Sequence, residues 1–247
     1  MAELKKVKAS MMNAVHDLPL LVARDEGFFR DEGLDVDILV TPGSGQHNSD
    51  DRALKDDIFK RGLEATYDQG QCDQFRMCEW GIMKRAVETI QEKSLRPAKI
   101  VALGSAMSSF AIVVDPKSGI YEPEQLKNVP IAVSQYNGSH FTMLKMMEGF
   151  IKRDEIKIAN HGTHRQRMEA VMSGKVKAAS LQEPWISVAE AGGMIGIKDL
   201  KLSRILNAPP VPYTRERFDD NYNWTLGWGL VPPGATYENT VDNRAWQ

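Results

Sequence analysis

The sequence is poor in cysteine and contains no long apolar run. Cys72 and Cys78 are its only cysteines, so no network of disulfides holds the fold together. The spacing between them fits no familiar zinc-binding pattern, and we expect neither a metal nor a cofactor. No stretch is long and apolar enough to cross a bilayer, so we expect no direct insertion into a membrane.

The chain also lacks an excess of charge of either sign. Its 31 basic and 33 acidic residues leave a formal net charge of −2, which gives no electrostatic reason to expect nucleic acid as a partner. The first residues show no apolar signal segment with a cleavage site. The sequence as it stands therefore predicts a cytoplasmic protein, or a periplasmic one if a signal peptide has been removed.

Predicted strands and helices alternate along most of the 247 residues. Short apolar or alternating segments predict strands at 7–11, 35–40, 74–77, 99–103, 111–114, 130–133, 156–159, 178–181 and 224–231. Helical spacing predicts a first helix from about His16 to Gly33, and others at 56–69, 79–92, 138–152, 164–173 and 185–191. This order favours an α/β fold with parallel sheets.

The same pattern predicts two lobes, each long enough to bury a core. Lobe I is predicted to comprise about 1–106 and 215–247, and lobe II about 107–205. Residues 206–214, within a proline-rich stretch, would cross between them. The last predicted strand, 224–231, is suited to returning to the sheet of lobe I.

Two segments in different halves of the chain follow the same plan. In each, a helix ends at glycine, a short strand follows, and a carboxylate and a tryptophan stand at the end of that strand. The pairs are Glu79 with Trp80 and Glu183 with Trp185. Open α/β sheets bind ligands beyond the carboxyl ends of their strands, so both pairs are predicted to face one crevice.

Several blocks resemble a family of substrate-binding proteins, in the order in which the family has them. They are the run from His16 to Phe29, the segments 32–36, 135–140 and 168–174, and the stretch from Glu183 to Gly192. The family includes the nitrate, sulfonate and taurine binding proteins and the thiamine-pyrimidine precursor proteins. The resemblance implies a two-lobed type II periplasmic-binding-protein-like fold, with a ligand cleft between the lobes. It also implies a small organic anion or heterocycle as ligand and, if the protein is exported, a membrane permease complex as partner.

Some relatives with this fold are enzymes, which leaves an alternative function open. They include an aromatic sulfinate desulfinase and dihydroxyphthalate-type decarboxylases, and the segment 66–69 is similar to a stretch of the desulfinase. The nucleophilic cysteine of that enzyme is not matched, because 13–15 reads Asn-Ala-Val. The alternative is a cytoplasmic lyase, such as a decarboxylase or desulfinase, in which His16, Glu79 or Cys78 transfers protons.

The candidate ligand-binding residues lie at predicted strand ends and helix starts. They are Asn13, His16, Glu79, Trp80, Asn137, Ser139, His140, Glu183 and Trp185. Free backbone N–H groups at the helix that begins near Gly138 favour an anionic group, although Ser139 could equally cap that helix. The two glutamates could bind an amine, cap a helix or form ion pairs, and the two tryptophans could stack on a ring or pack in the core.

Overall fold

The computed structural model describes residues 3–11, 17–40, 62–104, 110–201 and 209–247. The described residues form two compact units. Unit 1 contains 3–40, 62–104 and 209–247 apart from the gap at 12–16, and unit 2 contains 110–201. The predicted lobe boundaries near 106 and 205 lie outside the described residues.

Unit 1 is built on a small parallel sheet of order β2-β1-β3. Its strands are β1 (Lys5–Met11), β2 (Leu34–Val40) and β3 (Gln74–Phe75). Lys6 lies opposite Asp35 and Val7 opposite Val36. The three lysines at the start of β1 are exposed, whereas Ala9, Ser10 and Met11 at its carboxyl end are buried.

The described part of unit 1 also contains six α-helices. They are α1 (Leu18–Asp25), α2 (Phe28–Asp31), α3 (Gly62–Asp68), α4 (Glu79–Gln91), α8 (Arg215–Gly227) and α9 (Tyr237–Thr240). The predicted first helix is divided into α1 and α2 at Gly27, whose φ of 81° is left-handed and cannot continue a right-handed helix. Gly33 ends α2 with φ of 74°, as the sequence predicts.

Unit 2 is built on a five-stranded sheet of order β6-β5-β7-β4-β8. Its strands are β4 (Phe110–Val114), β5 (Pro130–Val133), β6 (Lys157–Asn160), β7 (Ala178–Gln182) and β8 (Ile195–Lys201). β5, β6 and β7 are mutually parallel, whereas β4 is antiparallel to β7 and β8. The sheet is therefore mixed: β5, β6 and β7 are parallel, as the order of elements predicts, and the antiparallel pairing of β4 was not predicted.

Helices α5 (Gly138–Met147), α6 (His164–Met172) and α7 (Trp185–Ala191) complete unit 2. Met168 and Val171 of α6 and Ile186 of α7 are buried in one apolar cluster with the central strands. The central strands β4 and β7 are buried along almost their whole length. Because the central strands are held in the core, the residues that follow them have defined positions at the edge of the sheet.

Two predicted strands are wrong. Residues 99–103 make only two isolated bridges, Ile100 with Val241 and Leu103 with Val211. Residues 224–231 begin inside helix α8 instead of forming a strand. Helix α8 starts where the Thr214 hydroxyl accepts from the Arg217 N–H, and its buried residues recur at helical spacing. Strand β8 was not predicted.

No helix among the described residues has the length and apolar character that a membrane span requires.

Candidate functional site

Three parallel strands end at one edge of the sheet of unit 2. The Val133 carbonyl, at the end of β5, accepts from the His161 N–H at 2.9 Å. The Asn160 side chain, at the end of β6, accepts from the Gln135 N–H at 3.3 Å. We call the segments 135–140, 161–164 and 183–185, which follow β5, β6 and β7, the carboxyl edge of unit 2. Ligands of open α/β sheets bind at such edges.

Helix α5 begins at this edge. Asn137 is its N-cap, and the Asn137 carbonyl accepts from the N–H groups of His140 and Phe141. The N–H groups of Gly138 and Ser139 donate to no acceptor among the described residues. The half-buried Asn137 side chain makes no capping hydrogen bond either. A helix start with N–H groups left open in this way, and with a carboxamide beside them, favours an anionic ligand.

The side chain of Ser139 is used inside the protein. Ser139 is 2% exposed, and its hydroxyl accepts from the Ser134 N–H at 3.4 Å. Its carbonyl accepts from the Ser180 hydroxyl at 3.1 Å. These contacts join α5 to β5 and β7, so the hydroxyl of Ser139 is not available to a ligand.

His140 is a buried and neutral histidine. It is 4% exposed, its Nδ1 accepts from the Tyr136 N–H at 3.1 Å, and its ring stacks on Phe141 with centroids 5.8 Å apart. Burial lowers the pKa of His140 to about 4, because the charged form loses its hydration. At neutral pH His140 therefore carries no charge that could attract an anion.

The lowered pKa of His140 makes stability depend on pH. Between the ordinary histidine pKa of 6.5 and the folded-state pKa of about 4, the unfolded chain binds the proton and the folded chain does not. We expect the free energy of unfolding to fall by about 2 kcal/mol from pH 7 to pH 5 through this residue. Urea denaturation at both pH values measures the fall, and His140→Asn should remove it. His161→Asn is the control and should remove less, because His161 is only half-buried.

Two residues of this edge were not predicted as site residues. Tyr136 is half-buried and directly precedes the N-cap of α5. His161 is half-buried and directly follows β6. Burial, then the charges of Lys175 and Arg167, lower the pKa of His161. The positive field that lowers this pKa also favours an anion. Their positions next to strand ends are the sequence signal that could have identified both.

A buried arginine supports the edge from α6. Arg167 is 1% exposed and donates to the Ser180 carbonyl at 2.9 Å, to His164 Nδ1 at 2.7 Å and to the Gly162 carbonyl. It thereby joins β7 to the loop that follows β6. Nothing in the sequence distinguishes it from the exposed Arg165 two residues earlier.

Glu183 and Trp185 follow β7 at the same edge. The Glu183 carboxylate accepts from the Ser187 N–H at 3.1 Å and from the Ser187 hydroxyl at 2.9 Å. It therefore caps α7, one of the roles that the sequence left open. Trp185 is half-buried and packs against the apolar cluster of the central strands. Both residues lie at the carboxyl edge of unit 2, and both make contacts within the protein.

Glu79 and Trp80 lie in unit 1, at the start of α4. The Glu79 carboxylate accepts from the Tyr213 hydroxyl at 2.6 Å and from Arg217 Nε and Nη2 at 3.0 and 3.1 Å. The Trp80 ring lies 6.0 Å from that of Trp224. These contacts correspond to the ion-pair and packing alternatives that the sequence left open. Asn13 and His16, the other candidates, lie outside the described residues.

Two further groups stand near the end of β3. Arg76 Nη1 donates to Asp17 Oδ1 at 3.2 Å, and Asp17 is buried; this pair was not predicted. Burial raises the pKa of the Cys78 thiol to about 11, so the thiol holds its proton at neutral pH. Within the described part of the chain, no cluster of three histidine, cysteine or acidic side chains is arranged to hold a metal.

Comparison with solved structures identifies the fold of the chain. No protein-family model matches the chain, and no curated protein matches it. Among solved structures, the periplasmic aliphatic sulphonate binding protein SsuA from Escherichia coli has a TM-score of 0.65 at 12% identity, over 98% of this chain and 93% of that one. The ligand binding component of an ABC-type import system from Staphylococcus aureus has a TM-score of 0.66 at 11% identity, over 97% of each chain.

A third similar structure is longer than this chain. It is a protein from Methylobacillus flagellatus proposed to be the sulfonate-binding protein SsuA, with a TM-score of 0.52 at 18% identity over 80% of this chain. The chain spans 57% of the length of that protein. Identities this low establish the fold alone. The two structures that match almost the whole chain confirm the predicted fold class: the chain has the α/β fold of the periplasmic binding proteins.

Proposed function

We propose that this chain is a small-molecule binding protein of the ABC-transporter substrate-binding type and that its ligand is a small organic anion. The observation that carries the proposal is the group of donors at the start of α5. The N–H groups of Gly138 and Ser139 and the Asn137 carboxamide occupy the edge of the sheet at which this fold class binds ligands. Under this proposal the protein works in the periplasm and delivers its ligand to a membrane permease.

The electrostatics of the carboxyl edge favour an anion over a cation. Burial, and then the charges of Lys175 and Arg167, lower the pKa of His161, so a cation bound beside this histidine would meet the repulsion of the same two charges. The Glu183 carboxylate, which could attract a cation, accepts two hydrogen bonds from Ser187. The helix dipole adds a partial positive charge at the N-terminus of α5.

The contacts in unit 1 give less support to the enzyme alternative. A proton-transferring Glu79 would need an accessible carboxylate, and this one accepts from Arg217 and Tyr213. A nucleophilic or proton-transferring Cys78 would need a lowered pKa, whereas burial raises it. His16, the third candidate, lies outside the described residues.

Calorimetric titration with ethanesulfonate and with ethanesulfonamide at pH 7 tests the proposal. The two probes have similar shapes, but only the sulfonate is charged. We expect ethanesulfonate to bind at least about ten-fold more tightly, because charge-assisted hydrogen bonds to N–H groups are the stronger kind. Equal affinities for the two probes, or binding of neither, would rule out an anion site of this kind.

A single variant locates the site. Gly138→Pro removes one of the two free N–H groups, and proline is tolerated at the first position of a helix. The preceding Asn137 has φ of −116° and ψ of 168°, which proline allows in the residue before it. We expect ethanesulfonate to bind about ten-fold more weakly, with no loss of stability. Gly138→Ala keeps the N–H and is the matched control; if it loses as much affinity as the proline variant, the N–H is not the determinant.

A further inference from the structure

Tyr136 has an unusual backbone conformation at the carboxyl edge of unit 2. Its φ is 58°, in the left-handed region that residues with a side chain seldom occupy. Tyr136 directly precedes Asn137, the N-cap of α5. Its conformation therefore sets where the Asn137 carboxamide and the N–H groups of Gly138 and Ser139 lie. Strained backbone of this kind persists only when neighbouring groups hold it in place.

The side chain of His140 holds Tyr136. The Tyr136 N–H donates to His140 Nδ1 at 3.1 Å, and the two rings meet edge to face with centroids 6.0 Å apart. His140 is fixed in turn, since its N–H donates to the Asn137 carbonyl at 2.9 Å. The contact thus closes a short ring of interactions between the loop and the first turn of α5.

The contact requires one protonation state of the imidazole. A ring nitrogen that accepts a hydrogen bond carries no proton, so the neutral ring of His140 holds its proton on Nε2. Burial keeps the ring neutral, because it lowers the pKa of His140 to about 4. At neutral pH the acceptor is therefore permanently available to Tyr136.

We propose that His140 is a positioning residue for ligand binding, whose unprotonated Nδ1 fixes the loop 134–137 so that the first two N–H groups of α5 point to a common ligand. The inference rests on the proposed function for the ligand, but its geometry is independent of it. His140 acts through Tyr136, because its ring is buried and its Nδ1 is already occupied. The ligand-contacting groups are then backbone N–H groups and the Asn137 carboxamide.

Two substitutions separate positioning from packing. In His140→Asn the Oδ1 atom stands near the place of Nδ1 and still accepts from Tyr136, whereas His140→Leu fills the space without an acceptor. We expect the leucine variant to bind ethanesulfonate at least about ten-fold more weakly and the asparagine variant to stay within about three-fold of the unchanged protein. Hydrogen exchange of the Tyr136 amide should accelerate in the leucine variant only.

The outcomes are distinct. Equal affinities and equal Tyr136 amide protection in all three proteins would overturn the proposal, and an asparagine variant as weak as the leucine variant would assign His140 to packing. If ethanesulfonate binds none of them, the proposed function fails for this probe, while amide exchange still decides the positioning role. If the leucine variant does not fold, nitrogen chemical shifts of His140 in the unchanged protein decide: a proton on Nδ1 would refute the contact.

Discussion

Replacing Arg167 with methionine should lower the free energy of unfolding by about 3 kcal/mol, because it leaves the buried Ser180 carbonyl and the part-buried Gly162 carbonyl without this donor. The guanidinium of Arg167 donates to the Ser180 and Gly162 carbonyls and to His164 Nδ1. Methionine fills the space of the aliphatic chain but donates nothing. Removing the buried charge returns part of its desolvation cost, yet the Ser180 carbonyl belongs to the backbone and stays buried. Urea denaturation followed by circular dichroism measures the loss.

A control lies on the same helix. Arg165 is paired with Glu169 at 2.8 Å, and the side chains of both residues are exposed, 70% and 55% respectively. Solvent screening makes such pairs weak, so Arg165→Met should cost less than about 1 kcal/mol. If the two variants are equally stable, the contacts of Arg167 do not hold the carboxyl edge together. A loss in both that exceeds 2 kcal/mol would indicate that α6 tolerates no change of charge.

Most strands and helices could be predicted because their periodicity is local. Apolar and alternating segments identified β1, β2 and β4 to β7, and the Gly33 cap was read correctly. Strand direction is not encoded in periodicity, which is why the antiparallel direction of β4 was not predicted. The error at 224–231 has a specific cause: Trp224, Leu226, Trp228 and Leu230 alternate with period two, as in a strand. The chain is nevertheless helical to Gly227, because the Thr214 cap and the buried face of α8 stabilise a helix there.

The site was predictable only as far as it depends on sequence neighbours. Strand ends and the start of α5 could be located, so Asn137, Ser139 and His140 were predicted as a group at one helix start, and their ligand role stays a prediction. The cap that Glu183 forms was foreseen as an alternative, because Ser187 is four residues away. The partners of Glu79 are 134 and 138 residues distant, and the contact of Ser180 with Ser139 spans 41. Such pairs arise from tertiary packing, which cannot be predicted from the pattern of neighbouring residues.

Glu79→Ala should cost about 2 to 3 kcal/mol of stability, the range expected when a buried hydroxyl loses a charged acceptor. Tyr213 is fully buried, and its hydroxyl donates to Glu79 at 2.6 Å. Burial, then the charge of Glu79, raise the pKa of Tyr213, so the phenol keeps its proton as a donor. The Arg217 side chain is 47% exposed, so screening reduces its share. In a double-mutant cycle, Tyr213→Phe should remove most of the effect of Glu79→Ala.

The matched control for Glu79 is Glu88, on the same helix and paired with Lys84 at 2.9 Å. Because that pair links neighbouring turns, Glu88→Ala should cost less than about 1 kcal/mol.

Titration of both variants with ethanesulfonate separates the two roles of Glu79. A structural role predicts lost stability with affinity retained in Glu79→Ala, whereas a ligand-binding role predicts the reverse. Since the carboxylate already accepts from Tyr213 and Arg217, we expect the structural result, which would leave the start of α5 in unit 2 as the anion site.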